Sequence, residues 1–223
     1  MGTSAAVKWG GLAGVAFGLS VVLQNVWLGA SGIDPGVDAG AAVIVSKFAE
    51  NATAHGVLAA WVGVNLVLMA LFLAAAHTRL RAAEPAWSML GTIGGVLLMA
   101  LFALVSVPRV ALALGAADME GEPALVDALW HMHTAVFAYA GIMLGIALLG
   151  FSLAAVGAGL VPRWFRVVGP IGAFAIIGFS VPVQVSASGS PATMVGGIGF
   201  LAWLLFLVVF GLRLWRVEGA NAT

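Results

Sequence analysis

The chain alternates long apolar runs with short polar breaks. The runs lie near Trp9–Leu28, Ala54–Ala76, Trp87–Val107, His131–Ala155, Val167–Ser186 and Thr193–Leu214, and they hold almost no charge. Each has about 20 residues, the length a helix needs to cross the hydrocarbon core of a bilayer. The pattern predicts six transmembrane helices. A seventh element has a different period. Ala30–Gly36 reads as a turn. After it Val37, Ala41, Ile44, Val45 and Phe48 follow an i, i+4, i+7, i+8, i+11 stripe, with Asp38, Ser46, Lys47 and Glu50 mostly off it. This predicts an amphipathic interfacial helix at about 37–51, either a lid over the bundle mouth or a connector held among headgroups.

The expected fold class is therefore all-α. It is a polytopic membrane bundle of six transmembrane helices in a single transmembrane domain, residues 1–223. The first run, Gly10–Leu28, exceeds the roughly 7–15 apolar residues of a signal peptide and reads as a retained span. His77–Pro85 and Gly159–Arg166 are turn-like, with Pro85 and Pro162 as helix breakers.

Composition agrees with lipid as the solvent. Hydrophobic residues make up 62% of the 223 residues and charged residues 8%, against about 25% charged in a soluble domain. There is no Cys, so no disulfide, thiolate metal site or Cys nucleophile. The net charge is zero, which gives no electrostatic case for nucleic acid as a partner.

The few charges assign sides. With the N-terminus inside, Lys8, Arg79, Arg81, Arg163, Arg166, Arg213 and Arg216 are cytoplasmic, and Lys47 and Arg109 are outside. That asymmetry is the positive-inside pattern and places both termini in the cytoplasm, as a multi-pass protein of a cell's inner (plasma) membrane. Trp9, Trp87, Trp164 and Trp215 fall at inner boundaries, and Trp27 and Trp130 at outer ones, as an aromatic belt.

The helices are rich in glycine. Gly10/Gly14/Gly18, Gly91/Gly95 and Gly141/Gly145 form small-xxx-small patterns that let backbones approach closely. A weak internal repeat equates His55–Trp61, His133–Tyr139 and Gly197–Trp203, as if one hairpin recurred three times.

Three stretches resemble a known group. They are Pro35…Asp38…Ala42…Phe48…Asn51, then Leu160-Val-Pro162-Arg163-Trp164 followed by Gly169, and finally Leu212-Arg213-Leu-Trp215-Arg216. The chain resembles a group of uncharacterised six-helix bacterial membrane proteins, common in actinobacteria and known as a domain of unknown function. The resemblance implies the architecture and carries no activity with it.

Candidate chemistry gathers at the outer ends of the spans, where an ionisable group is a site hypothesis by default. The candidate ligand-binding residues are Gln24, His55, Arg109, Asp127, His131, Thr134 and Gln184. Asp127, Trp130, His131 and Thr134 share one helical face (i, i+3, i+4, i+7), so His131 with Asp127 is expected to point inward. His133 lies roughly 200° from His131 and points elsewhere.

Three uses of these groups stand open. The first is a pocket for a small lipophilic or anionic ligand, with Arg109 recognising an anionic or carbonyl group. The second is a haem or metal ion, with His55 and His131 (or His133) as axial ligands, or His55, Asp127 and His131 on a metal. In the third, the groups hydrogen-bond one another and face headgroup water. The expectation is a binding or accessory protein: a holder of such a ligand, a homo-oligomer or a subunit of a larger membrane complex. A haem- or metal-binding redox protein and a small-solute transporter are the alternatives. No Lys lies within a span, which excludes a retinal Schiff base. No nucleotide loop, Gly-x-Ser-x-Gly or His-Glu-x-x-His motif points to an enzyme.

Overall fold

The computed structural model describes residues 3–185 and 191–220, with side chains over 5–182 and 194–216. In chain order the helices are α1 (Thr3–Ser31), α2 (Ala41–Glu50), α3 (Ala52–Leu80), α4 (Pro85–Gly115), α5 (Pro123–Gly157), α6 (Phe165–Val185) and α7 (Pro191–Ala220), with a 3-10 turn at Ala116–Met119. The break between the last two expected spans, 187–192, lies mostly outside the described residues. All but α2 are long and apolar enough to cross a membrane.

Local chemistry sets the helix ends. α4 and α5 begin on Pro85 and Pro123, where the missing N–H has no helical partner to lose. α5 ends in a Schellman motif: Gly159 is left-handed at φ +69, its N–H donates to Val156 O at 3.1 Å, and Leu160 N–H donates to Ala155 O at 2.9 Å. The helices run past the expected spans, α5 beginning at Pro123 rather than His131. Hydropathy marks the hydrocarbon crossing, not the full helix.

The six long helices pack in a closed ring in the order α1, α3, α4, α5, α6, α7 and back to α1. Contacts show that neighbours are antiparallel. Along α1, Gly10 meets Ala75 while Ser20 meets Trp61 of α3. Along α4, Gly91 meets Phe151 while Gly94 meets Ala147 of α5. The ring is filled. Phe72 is fully buried and takes Phe151, Trp203 and Phe210 edge-on at 6.2, 6.5 and 6.0 Å. Outside, Val26, Phe174 and Leu201 are more than 60% exposed. Acyl chains, not water, suit such a surface. This is a multi-pass helical membrane protein.

Glycine permits the closest approaches. A Cβ on Gly94 would stand 2.6 Å from Ala147 N, and one on Gly150 2.6 Å from Gly91 Cα. The small-residue pairs are not all single faces, however. Gly10 and Gly14 face α3 but Gly18 faces α7, and Gly91 faces α5 but Gly95 faces Leu73 of α3. Each four-residue step overshoots a full turn by roughly 40°, so successive glycines drift to a new neighbour. Gly141 and Gly145 do share one partner, α6.

The bundle has two unlike ends. The terminal end carries the half-exposed Trp9, Trp87, Trp164 and Trp215. At the other, cap end, α2 lies against α4, α5 and the 3-10 turn. It buries Ile44, Val45 and Phe48 in a second small core with Leu112, Ala116, Val126 and Trp130. Ile44, Val45 and Phe48 of the expected stripe are buried on α2, whereas Val37 lies outside it, and the helix is shorter than 37–51. Gly36 at φ +90 and the extended Gly40 keep residues 36–40 out of it.

Candidate functional site

The charged and aromatic groups that meet at the cap end come from α2, α3, α4, α5 and the segment before α2. Arg109 stands near the end of α4, after the buried Pro108. Its side chain is 14% exposed, and Nη2 donates to Asp34 Oδ1 at 3.0 Å; Asp34, in the extended segment before α2, is 48% exposed. The guanidinium lies 5.8 Å from the Phe48 ring centre and 5.6 Å from that of Trp130. The cation is therefore held by two ring faces and one carboxylate, a desolvated setting that suits Arg better than Lys.

The segment before α2 is stitched at every second residue. Gly32 O accepts from Lys47 Nζ, Asp34 from Arg109, and Gly36 O from Trp130 Nε1 at 2.9 Å. Ile33, between the first two, is 4% exposed.

Two histidines flank the cation. His55 stacks on Phe48 at 3.9 Å, and His133 on Trp130 at 4.8 Å. The His133 Nδ1–H donates to Val105 O at 3.0 Å, which fixes its tautomer and leaves Nε2 as the acceptor. His55 is buried, and neither ring nitrogen meets hydrogen-bond geometry with the described residues. The Lys47 carbonyl approaches the ring but accepts from Asn51 Nδ2 at 2.9 Å. Arg109 Nε is likewise buried without such a partner.

Set against the sequence reading, the structure brings Arg109 and His55 to one cluster but corrects helix α5. His131 is exposed, whereas His133 is buried. The inward stripe is Val126, Trp130, His133 and Ala140, all buried, at i, i+4, i+7 and i+14. The polar residues of the sequence centre the inward face on Asp127 instead. At a helix end beside water a carboxylate gains nothing by facing the core, so the apolar stripe decides. Asp127 is only half-buried. Thr134 Oγ1 donates to its own helix at Trp130 O, 3.0 Å. Gln24 lies elsewhere, its Oε1 accepting from Asn65 Nδ2 at 2.8 Å between α1 and α3. The Gln184 side chain lies outside the described residues.

The three-residue metal set of His55, Asp127 and His131 does not assemble. Among the described residues no three His, Asp or Glu side chains come together as a metal site. The exposed His131 does not join the buried His55. His55 and His133 are linked instead through ring contacts, Phe48 to Trp130 at 6.1 Å continuing the run. The acidic loop Asp118, Glu120 and Glu122 is exposed.

Asp34, Phe48 and Trp130 were missed as site residues. Asp34 is 75 positions from Arg109, and no spacing rule links them. An apolar groove of ≈ 380 Å³ runs along α4 past Ser106, Val107, Val110, Ala111 and Leu114. Arg109 points roughly 130° away from it around the helix, so the groove does not lead to the cation. Compared with protein-family models, curated proteins and solved structures, the chain matches none.

Proposed function

We propose that this chain is a binding protein of a bacterial plasma membrane, with both termini cytoplasmic and the α2 cap outside. Its Arg109 recognises the anionic group of a small lipophilic ligand, and Asp34 occupies Arg109 when no ligand is bound. The observation that supports this is the asymmetry of the pair: a guanidinium 14% exposed beside a carboxylate 48% exposed. The cation is built into the bundle, whereas its anion sits on the covering segment and reaches water. A carboxylate from outside can replace Asp34 without exposing Arg109. The orphaned Arg109 Nε and His55 nitrogens supply further polar contacts. The ring-filled bundle around Phe72 favours binding over a continuous path for solute. The sidedness rests on the positive-inside pattern, and the bacterial setting on the resemblance above.

Octanoate, an alkyl carboxylate, is the matching probe. Calorimetric titration of the purified protein should show saturable binding that Arg109→Met abolishes. Asp34→Ala should tighten it by about 30-fold, because the internal competitor is gone. Octanol, without the charge, should show neither dependence. Octanoate binding that is equal in the wild type and in Arg109→Met would rule the reading out.

A further inference from the structure

A second binding site lies at the terminal end, remote from Arg109. The Schellman turn at Gly159 reverses the chain after α5 and lays Leu160, Val161 and Pro162 beside α7. Opposite them stand Val209, Leu212, Arg213 and Arg216. These four are i, i+3, i+4 and i+7, one face of α7. Turn and helix enclose a groove of ≈ 410 Å³. Its chemistry is divided: the α5–α6 turn and the upper residues of α7 give apolar walls, and the two guanidiniums are exposed. Among the described residues no carboxylate lines it.

Other cations stand at this end, alongside the Glu84 carboxylate that packs against Gly157. Lys8 lies 5.9 Å from the ring centre of Trp215, between the two arginines in sequence. Arg163 follows the turn directly and is exposed. The half-exposed Trp164 and Trp215 place this level at a membrane–water boundary. An apolar wall beside paired guanidiniums at that depth matches one molecule, whose phosphodiester sits at the boundary and whose acyl chain runs along the helix.

We propose that the groove between the α5–α6 turn and α7 is a site for an anionic phospholipid. Arg213 and Arg216 hold its phosphate, and the accessible Pro162, Val209 and Leu212 contact its first acyl carbons, over the buried Leu160 and Val161. The site does not depend on the role of Arg109. A free phosphate would use the guanidiniums but leave the apolar wall unused.

The test uses the full chain in mixed micelles, with thermal unfolding followed as phosphatidylglycerol, phosphatidylcholine or inorganic phosphate is titrated in. Phosphatidylglycerol should raise the midpoint saturably, while the other two should not. Arg213→Gln/Arg216→Gln should keep the lipid-free midpoint, both side chains being exposed. It should weaken the apparent affinity for phosphatidylglycerol roughly 30-fold, as expected for losing two interfacial cations. Arg81→Gln removes an exposed cation at the same end, outside the groove, and should leave the affinity unchanged. Equal loss in Arg81→Gln would reduce the site to general basic attraction. Equal stabilisation by phosphatidylcholine, or by phosphate alone, would also overturn the proposal.

Discussion

Removing Asp34 should cost more than removing Arg109, although the two make one salt bridge. A fully exposed pair contributes about 0–1 kcal/mol, whereas stripping one partner from a buried pair costs about 3–5 kcal/mol. The two members here sit near opposite limits, at 14% and 48% exposure. Asp34→Ala leaves the guanidinium desolvated against Phe48 and Trp130 with no counter-charge, so the loss should approach the lower buried figure, about 3 kcal/mol. Arg109→Met leaves Asp34 where water can reach it, and the Met keeps the packing of the Arg stem. The loss there is the ring–cation attraction and a weakened pair, about 1 kcal/mol. The double variant strands no charge and should also lose only about 1 kcal/mol, which makes the coupling strong and non-additive. Reversible chemical unfolding in mixed micelles, followed by circular dichroism, gives all four stabilities. A cost below about 0.5 kcal/mol for Asp34→Ala, or a larger cost for Arg109→Met than for Asp34→Ala, would refute the reasoning.

Other perturbations separate buried roles from exposed ones. His133→Ala removes a hydrogen bond to Val105 O and a stack on Trp130 and should destabilise by about 2 kcal/mol, whereas His131→Ala should stay within about 0.5 kcal/mol; the same unfolding assay decides. Gly150→Ala directs its Cβ at the Gly91 backbone and should cost at least about 2 kcal/mol. Gly63→Ala, with open space around it, should be neutral or gain up to about 1 kcal/mol. The chain has no native Cys, so sidedness can be read from single cysteines. Gly121→Cys should react with an impermeant maleimide on intact cells, and Ala82→Cys only after permeabilisation.

The architecture was legible because lipid imposes a simple rule: long apolar runs must be helices that satisfy their own backbone. The α2 stripe was legible for the same kind of reason, since Ile44, Val45 and Phe48 keep one face and all are buried. What the sequence hid was pairing. Arg109 has no acid within reach on its own helix, and nothing local singles out Asp34 among the acids of the cap end. The choice between His131 and His133 failed differently. Helical arithmetic separated them correctly, but polar residues were grouped inward, while Val126, Trp130 and Ala140 carried the better signal. The three-hairpin repeat equated Trp61, Tyr139 and Trp203. The structure half-buries the first, exposes the second by 58% and buries the third to 1%, so similar sequence positions do different work here.

Chemical rescue tests the exchange at Arg109 most directly. Octanoate should restore stability to Asp34→Ala by supplying the missing carboxylate. At about 100 times its dissociation constant it should return about 2.7 kcal/mol. It should do little for the wild type, whose Arg109 is already occupied, and nothing for Asp34→Ala/Arg109→Met. No recovery in Asp34→Ala, or an equal rise in the double variant, would contradict the account.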